Sequence, residues 1–214
     1  MTFKAKVVEE ESPPARPASG DAAAHVTPPP YDHVTSSPYD EERIPALARG
    51  AVETFVSRGR VIEPALVPET SMLSRPSACF VCIKTLGREL RGCIGTFEPE
   101  KGTLAEEVVA NAIKAATRDP RFSPLSQNEL TALRYSVDVL GTLEPARFED
   151  LDPAVFGLMV VAQNGSRRGL LLPNIESIRT ADAQVRVAAG KAGIRPDEPL
   201  KLYRFRTRRF SEWD

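Results

Sequence analysis

Thiols, carboxylates, lysines, guanidiniums and tyrosines carry the chemistry available to the body of this chain. Its 214 residues include two histidines, His25 and His33, and none follows Asp40. A Ser-His-Asp triad, a Cys-His dyad and the usual zinc sites are therefore excluded beyond that point. The thiol best placed to react is Cys93, in the run Leu90-Arg91-Gly92-Cys93-Ile94-Gly95. Gly92 before it and Gly95 two residues on leave it unhindered. On an extended strand Arg91, two residues earlier, projects from the same face. A guanidinium nearby favours the thiolate. Cys93 and Arg91 are thus candidate catalytic residues, with Cys93 as nucleophile, redox thiol or covalent carrier. The alternative is that Cys93 is a small buried hydrophobe, a common state for free cysteine.

Other groups carry weaker signals. Cys79 and Cys82 form C-F-V-C, but strand residues three apart point to opposite faces and cannot chelate one ion. No metal or cofactor is expected, and Cys79 reads as core. Arg118, Asp119 and Arg121 follow a helix end. Two guanidiniums there could clamp a carboxylate or phosphate, or they could serve as C-capping charge beside an Asp-Pro turn. Asn111, a poor helix former in mid-helix, either lines a binding cleft or sits on an indifferent surface. Arg204, Arg206 and Arg208 alternate on one strand face with Arg209 beside them. This reads as a solvated edge strand guarded by charge rather than a nucleic-acid stripe.

The elements that must position these groups follow from pattern. Ile44, Leu47, Ala51, Val52 and Phe55 recur at helical spacing behind Asp40-Glu41-Glu42, which suits the positive end of a helix. Pro45 fits only a first turn. Ala78 to Lys84 and Leu90 to Phe97 form a hairpin around Gly87-Arg88, a register that sets Cys82 opposite Cys93 and Lys84 opposite Arg91. Thr103-Leu104-Ala105-Glu106 is a capping box. It opens a helix that Asp119-Pro120 ends. Leu133 to Leu140 alternates as a half-buried strand. Phe156 to Gln163 and Arg168 to Leu172 flank Asn164-Gly165 as a second hairpin. Thr180 caps a helix stopped by Gly193, and Leu200 to Phe205 is a last strand. Helices and antiparallel hairpins are mixed, so the class is α+β.

Composition sets the frame. Hydrophobic residues are 42%, charged residues 27%, and the net charge is -1, so no bulk field recruits nucleic acid or a membrane. Residues 1–40 are rich in Pro and Ala and carry Lys4, Lys6 and Arg16 against six acidic residues. They read as a disordered acidic tail. Residues 41–214 form the folded part. The N-terminus has no apolar signal region, and the three cysteines, an odd count, argue against a disulfide scaffold. Both point to the cytoplasm.

The hexapeptide LRGCIG resembles the signature of the AMMECR domain family. Asn111-Ala112, Arg118-Asp119-Pro120-Arg121-Phe122 and Leu125 are similar to the stretch after its central helix. Arg168 to Pro173 is similar to its second hairpin, and Gln184 to Gly193 with Leu202-Tyr203-Arg204-Phe205 to its C-terminal end. The resemblance spans about residues 41–212. It departs at Ala189, where a cysteine is frequent, and in a hairpin turn about one residue longer. It implies two subdomains, each with a small antiparallel sheet flanked by helices and with a cleft between them, the larger containing both ends of the domain. The LRGCIG strand would face that cleft, making Leu90, Gly92, Ile94 and Gly95 cleft residues with Asn111, Arg118, Asp119 and Arg121. It also implies a binding or accessory role beside a Memo-type protein and a radical S-adenosylmethionine enzyme, as in protein A of the AmmeMemoRadiSam system. The chain lacks the C-x-x-x-C-x-x-C triplet of the radical enzyme itself. The alternative is an enzyme with Cys93 as nucleophile or redox thiol and Arg91 or Arg121 holding an anionic substrate.

Overall fold

The computed structural model describes residues 38–213. The tail reading therefore falls largely outside the described residues, apart from residues 38–40, which belong to the first helix. The described chain divides into two compact units, residues 38–140 with 208–213, and residues 141–207. Each has a four-stranded antiparallel sheet.

In the first unit the sheet order is β2-β1-β3-β8, built from β1 (Cys79–Thr85), β2 (Leu90–Gly95), β3 (Leu133–Leu140) and β8 (Thr207–Ser211). Helices α1 (Pro38–Arg58) and α2 (Leu104–Thr117) pack on it. Val81, Ile83, Tyr135, Val137 and Phe210 turn inward and meet Ile44, Val52, Val108 and Ala112 in one core. The reciprocal capping box starts α2. Thr103 Oγ1 accepts the Glu106 N–H at 3.2 Å, and the Glu106 carboxylate accepts the Thr103 N–H at 3.1 Å.

Two expectations are corrected here, the place of Pro45 and the pairing of Lys84, while the acidic first turn of the helix is as expected. Pro45 lies inside α1 rather than in its first turn. The helix begins at Pro38, which puts the buried Pro45 at its eighth residue, where it forgoes one backbone hydrogen bond. Asp40 is fully buried and accepts the Ser71 hydroxyl at 2.5 Å, tying the start of α1 to the turn at Met72–Ser74. In the hairpin Cys82 does face Cys93, but a bulge after Ile83 shifts the register, so Lys84 faces Leu90 and not Arg91.

In the second unit the order is β4-β7-β5-β6, from β4 (Glu144–Ala146), β5 (Gly157–Ala162), β6 (Arg168–Leu171) and β7 (Leu200–Phe205), with α3 (Ala181–Lys191) against β5 and β6. The C-terminal arginine stripe is not one strand. Arg204 ends in β7, Arg206 lies between strands, and Arg208 and Arg209 belong to β8 in the other sheet. Arg204 pairs with Glu144 at 3.2 Å and, with Arg206, lies over the Phe156 ring. Arg208 pairs with Glu41 and Arg209 with Asp138.

Both units seat a helix on a hairpin at a glycine. A Cβ on Gly92 would lie 2.3 Å from the Ala115 carbonyl oxygen of α2, and one on Gly169 would lie 2.1 Å from the Ala188 carbonyl oxygen of α3. Such contacts explain glycine inside a strand. Gly92→Ala and Gly169→Ala are each expected to cost about 1–3 kcal/mol. Gly190→Ala, in α3 with nothing within 4 Å of the added methyl, is expected to be neutral or to stabilise by up to about 1 kcal/mol. Urea unfolding midpoints of the three variants check this contrast.

Candidate functional site

The LRGCIG strand β2 is an edge strand. Gly92 and Ile94 face α2 and the core, which turns Cys93 to the opposite sheet face. Gly95 is held bare by the Phe80 ring, 2.3 Å from an added Cβ. Leu90, at the strand start, is half-buried opposite Lys84.

The free backbone edge of β2 is covered by the segment that follows α2. The Cys93 N–H donates to Asp119 Oδ2 at 2.8 Å, and Arg121 Nη2 donates to the Cys93 carbonyl at 3.4 Å. Arg121 also grips Asp119 with Nε at 2.9 Å and Nη2 at 2.7 Å. Asp119 and Arg121 thus imitate one residue of a neighbouring strand and close an otherwise open edge. Hydrogen bonds from Arg121, then from the Cys93 and Arg121 N–H groups, hold the Asp119 carboxyl down at about 2. Arg118 is exposed, and its N–H caps α2 on the Lys114 carbonyl.

Arg91 is engaged as firmly. Its Nε and Nη2 donate to the two carboxylate oxygens of Glu129 at 2.7 and 3.2 Å, and Nη1 donates to the Ser123 carbonyl at 3.0 Å. The guanidiniums of Arg91 and Arg121 both lie against the Phe122 ring, 5.8 and 5.5 Å from its centroid. Arg91, together with the Ser126 N–H and hydroxyl, holds the Glu129 carboxyl at about 2. Sequence reasoning did not single out Glu129, although Ser126-Gln127-Asn128-Glu129 carries the S-x-x-E spacing of a capping box.

The three cysteines have two fates. Cys82 and Cys93, directly opposed across the ladder, are joined as a disulfide. The expectation from the odd count is corrected to that extent: the bond links two residues that the hairpin already pairs, and one thiol is left over. Cys79 points into the core, where burial pushes its thiol up to about 12.

Asn111 is fully buried, not on an open surface. Its amide donates to the Cys79 carbonyl at 3.1 Å and to Glu107 Oε1 at 3.3 Å. Glu107, also buried, accepts the Thr96 hydroxyl at 2.7 Å and the N–H groups of Glu100 and Lys101 at 2.8 and 2.9 Å. Glu107 and Asn111 are four apart on one helix face, a polar pair beside the apolar stripe of Leu104, Val108 and Ala112. Among the described residues no group of three or more His, Cys, Asp or Glu is placed to hold a metal ion.

Asp119 and Glu129 titrate lower in the folded chain than the roughly 4 of free carboxylates. Their stabilisation is complete above that range and is lost as pH falls toward about 2. Asp119→Asn is expected to cost about 1–3 kcal/mol at pH 7, because the Cys93 N–H and Arg121 lose a charged acceptor. The Asp119→Asn, Glu129→Gln double variant is expected to lose less stability than the parent between pH 5 and about 2. Urea midpoints across that range measure both effects. An unchanged acid slope would assign acid sensitivity to other carboxylates.

With this geometry in place, known proteins supply the context. The sequence model of the AMMECR1 family matches residues 45–210. A Thermotoga maritima protein is 46% identical over 162 residues, covering 74% of this chain and 91% of its own length. Protein CA_C1420 of Clostridium acetobutylicum is 37% identical over 183 residues, which are 85% of this chain but 38% of that longer protein. The crystal structure of the uncharacterized protein PH0010 from Pyrococcus horikoshii superposes with a TM-score of 0.74 at 30% identity, covering 83% of this chain and 94% of that one. A family match across both units, together with a shared fold, establishes that this chain belongs to the AMMECR1 family.

Proposed function

We propose that the chain is a binding or accessory protein, working in the cytoplasm with a Memo-type protein and a radical S-adenosylmethionine enzyme, as family resemblance implies. One observation carries this reading: the ionic groups around the LRGCIG strand are already engaged by one another. Arg91 is held by Glu129, Asp119 by Arg121 and the Cys93 N–H, and the Cys93 sulfur by Cys82. Saturated pairs of this kind build a rigid, shaped surface. A nucleophile with its own activating base needs groups left free to change partners. Arg91 and Arg121 therefore support the strand and its edge, and Leu90 and Cys93 belong to the surface offered.

The paired cysteines favour one part of the alternative reading. In a thiol-rich compartment a disulfide between Cys82 and Cys93 is exchangeable. Reduction would free Cys93 as a thiol two residues from Arg91.

Co-expression of the full chain with the Memo-type and radical enzymes of its own genome tests the proposal. The expected result is co-elution of the chain with at least one of them, retained by Cys93→Ser. The same preparation, reduced and treated with iodoacetamide at pH 7, is expected to alkylate Cys93 no faster than a model thiol. Absence of any complex, together with Cys93 alkylation at least tenfold above that thiol, would overturn the accessory reading in favour of a reactive cysteine.

A further inference from the structure

A cavity of about 250 Å³ lies on the sheet of the first unit, on the face away from α1 and α2. Its lining is Lys84, Arg88, Ser136, Arg209, Ser211 and Trp213. Alternation explains the set. Ile83, Tyr135 and Phe210 turn into the core, so their strand neighbours Lys84, Ser136, Arg209 and Ser211 turn outward. The segment carrying Trp213 is pinned from the other side. Glu212 accepts Arg49 Nε at 2.6 Å and Nη2 at 2.7 Å, and accepts the Tyr135 N–H at 2.9 Å.

The cavity is rich in donors, and none of its lining residues is acidic. One lining residue already has a carboxylate partner: Arg209 donates to Asp138 with Nε at 2.8 Å and Nη2 at 3.0 Å. That pairing leaves the Arg209 Nη1 hydrogens available. Lys84 Nζ stands 5.8 Å from the centroid of the Trp213 ring. Ser211 Oγ accepts the Trp213 backbone N–H at 3.1 Å, which leaves its own proton to donate. The indole Nε1 of Trp213 is buried without a protein acceptor. An unmet donor on one lining residue, together with the cations Lys84, Arg88 and Arg209 in the same lining, suits an anion with several oxygens.

We propose that this cavity binds the phosphoryl group of a small phosphate-bearing molecule. The cations Lys84, Arg88 and Arg209, set against the single charge of Asp138, match a phosphate dianion. The Ser136 and Ser211 hydroxyls and the Trp213 indole supply neutral donors to its oxygens. A carboxylate, with two oxygens and one charge, would leave several of these groups unused. The site is independent of the partner proteins discussed above and does not use Cys93.

Trp213 is the one tryptophan of the chain, so intrinsic fluorescence reports on this cavity directly. Inorganic phosphate and glycerol phosphate are titrated into the full chain at constant ionic strength, with sodium chloride as the reference. The expected result is a saturable change in Trp213 emission with either phosphate and none with chloride. Tighter binding of glycerol phosphate assigns the site to phosphate esters, and equal or tighter binding of inorganic phosphate assigns it to the free ion. Arg88 is exposed with φ 67, so Arg88→Gly keeps the turn conformation. It and Lys84→Gln are each expected to weaken binding by about tenfold or more. Arg186→Ala, on α3 of the other unit, is expected to leave binding unchanged. Isothermal calorimetry on Trp213→Phe, expected to show weakened phosphate binding, keeps a readout when the reporter is removed. Non-saturable emission changes, an equal response to chloride, or wild-type affinity in both Arg88→Gly and Lys84→Gln would overturn the proposal.

Discussion

The contact between Gly92 and the Ala115 carbonyl, where an added Cβ would come within 2.3 Å, governs the first unit. A bare strand position lets the α2 backbone rest directly on β2. Ala105, Ala112, Ala115 and Ala116 keep the buried side of the helix thin enough for that approach. Because α2 is seated there, its C-terminal end arrives beside the open edge of β2. Asp119, four residues past Ala115, then meets the Cys93 N–H. The edge cap, the stacking on Phe122 and the Arg91–Glu129 pair all assemble downstream of one permitted close approach.

Polar groups near β2 divide by depth. At the bottom, Glu107 and Asn111 satisfy backbone and side-chain groups where strand β2 ends and α2 begins. At the edge, Asp119 and Arg121 satisfy the Cys93 backbone. A buried network earns stability only when its members are partnered, and these carboxylates accept two or more hydrogen bonds each. The same economy of geometry recurs in the second unit. Gly169 lies beneath the Ala188 carbonyl, and Gly157 faces the Phe205 ring as Gly95 faces Phe80. Two sheets with little sequence in common reach the same packing device because a helix backbone or an aromatic ring leaves no room for a Cβ.

Local order was largely legible from residues alone. The capping box at Thr103, the alternation from Leu133 to Leu140, the hairpin around Asn164-Gly165 and the Gly193 stop each express a preference set within a few residues. LRGCIG carried the family, since two glycines in a short strand announce close neighbours. Less was legible of the site. Glu129 lies 38 residues from Arg91, and their pairing depends on how β2 meets the turn before β3. Asn111 has the same local context whether buried or exposed, and the Cys79 carbonyl decides for burial.

Sequence by itself determined the α+β class, the elements and the opposition of Cys82 and Cys93, because these follow from periodicity, caps and turn residues. Tertiary structure decided what the charged groups do. The bulge after Ile83 moved Lys84 away from Arg91. The break at Arg206 sent Arg208 and Arg209 into a different sheet from Arg204. Long ionic side chains have little local preference, and their partners are set by which backbone segments folding brings within reach. For that reason Lys84, Arg88, Arg209 and Trp213, scattered along the chain, became one cavity only in three dimensions.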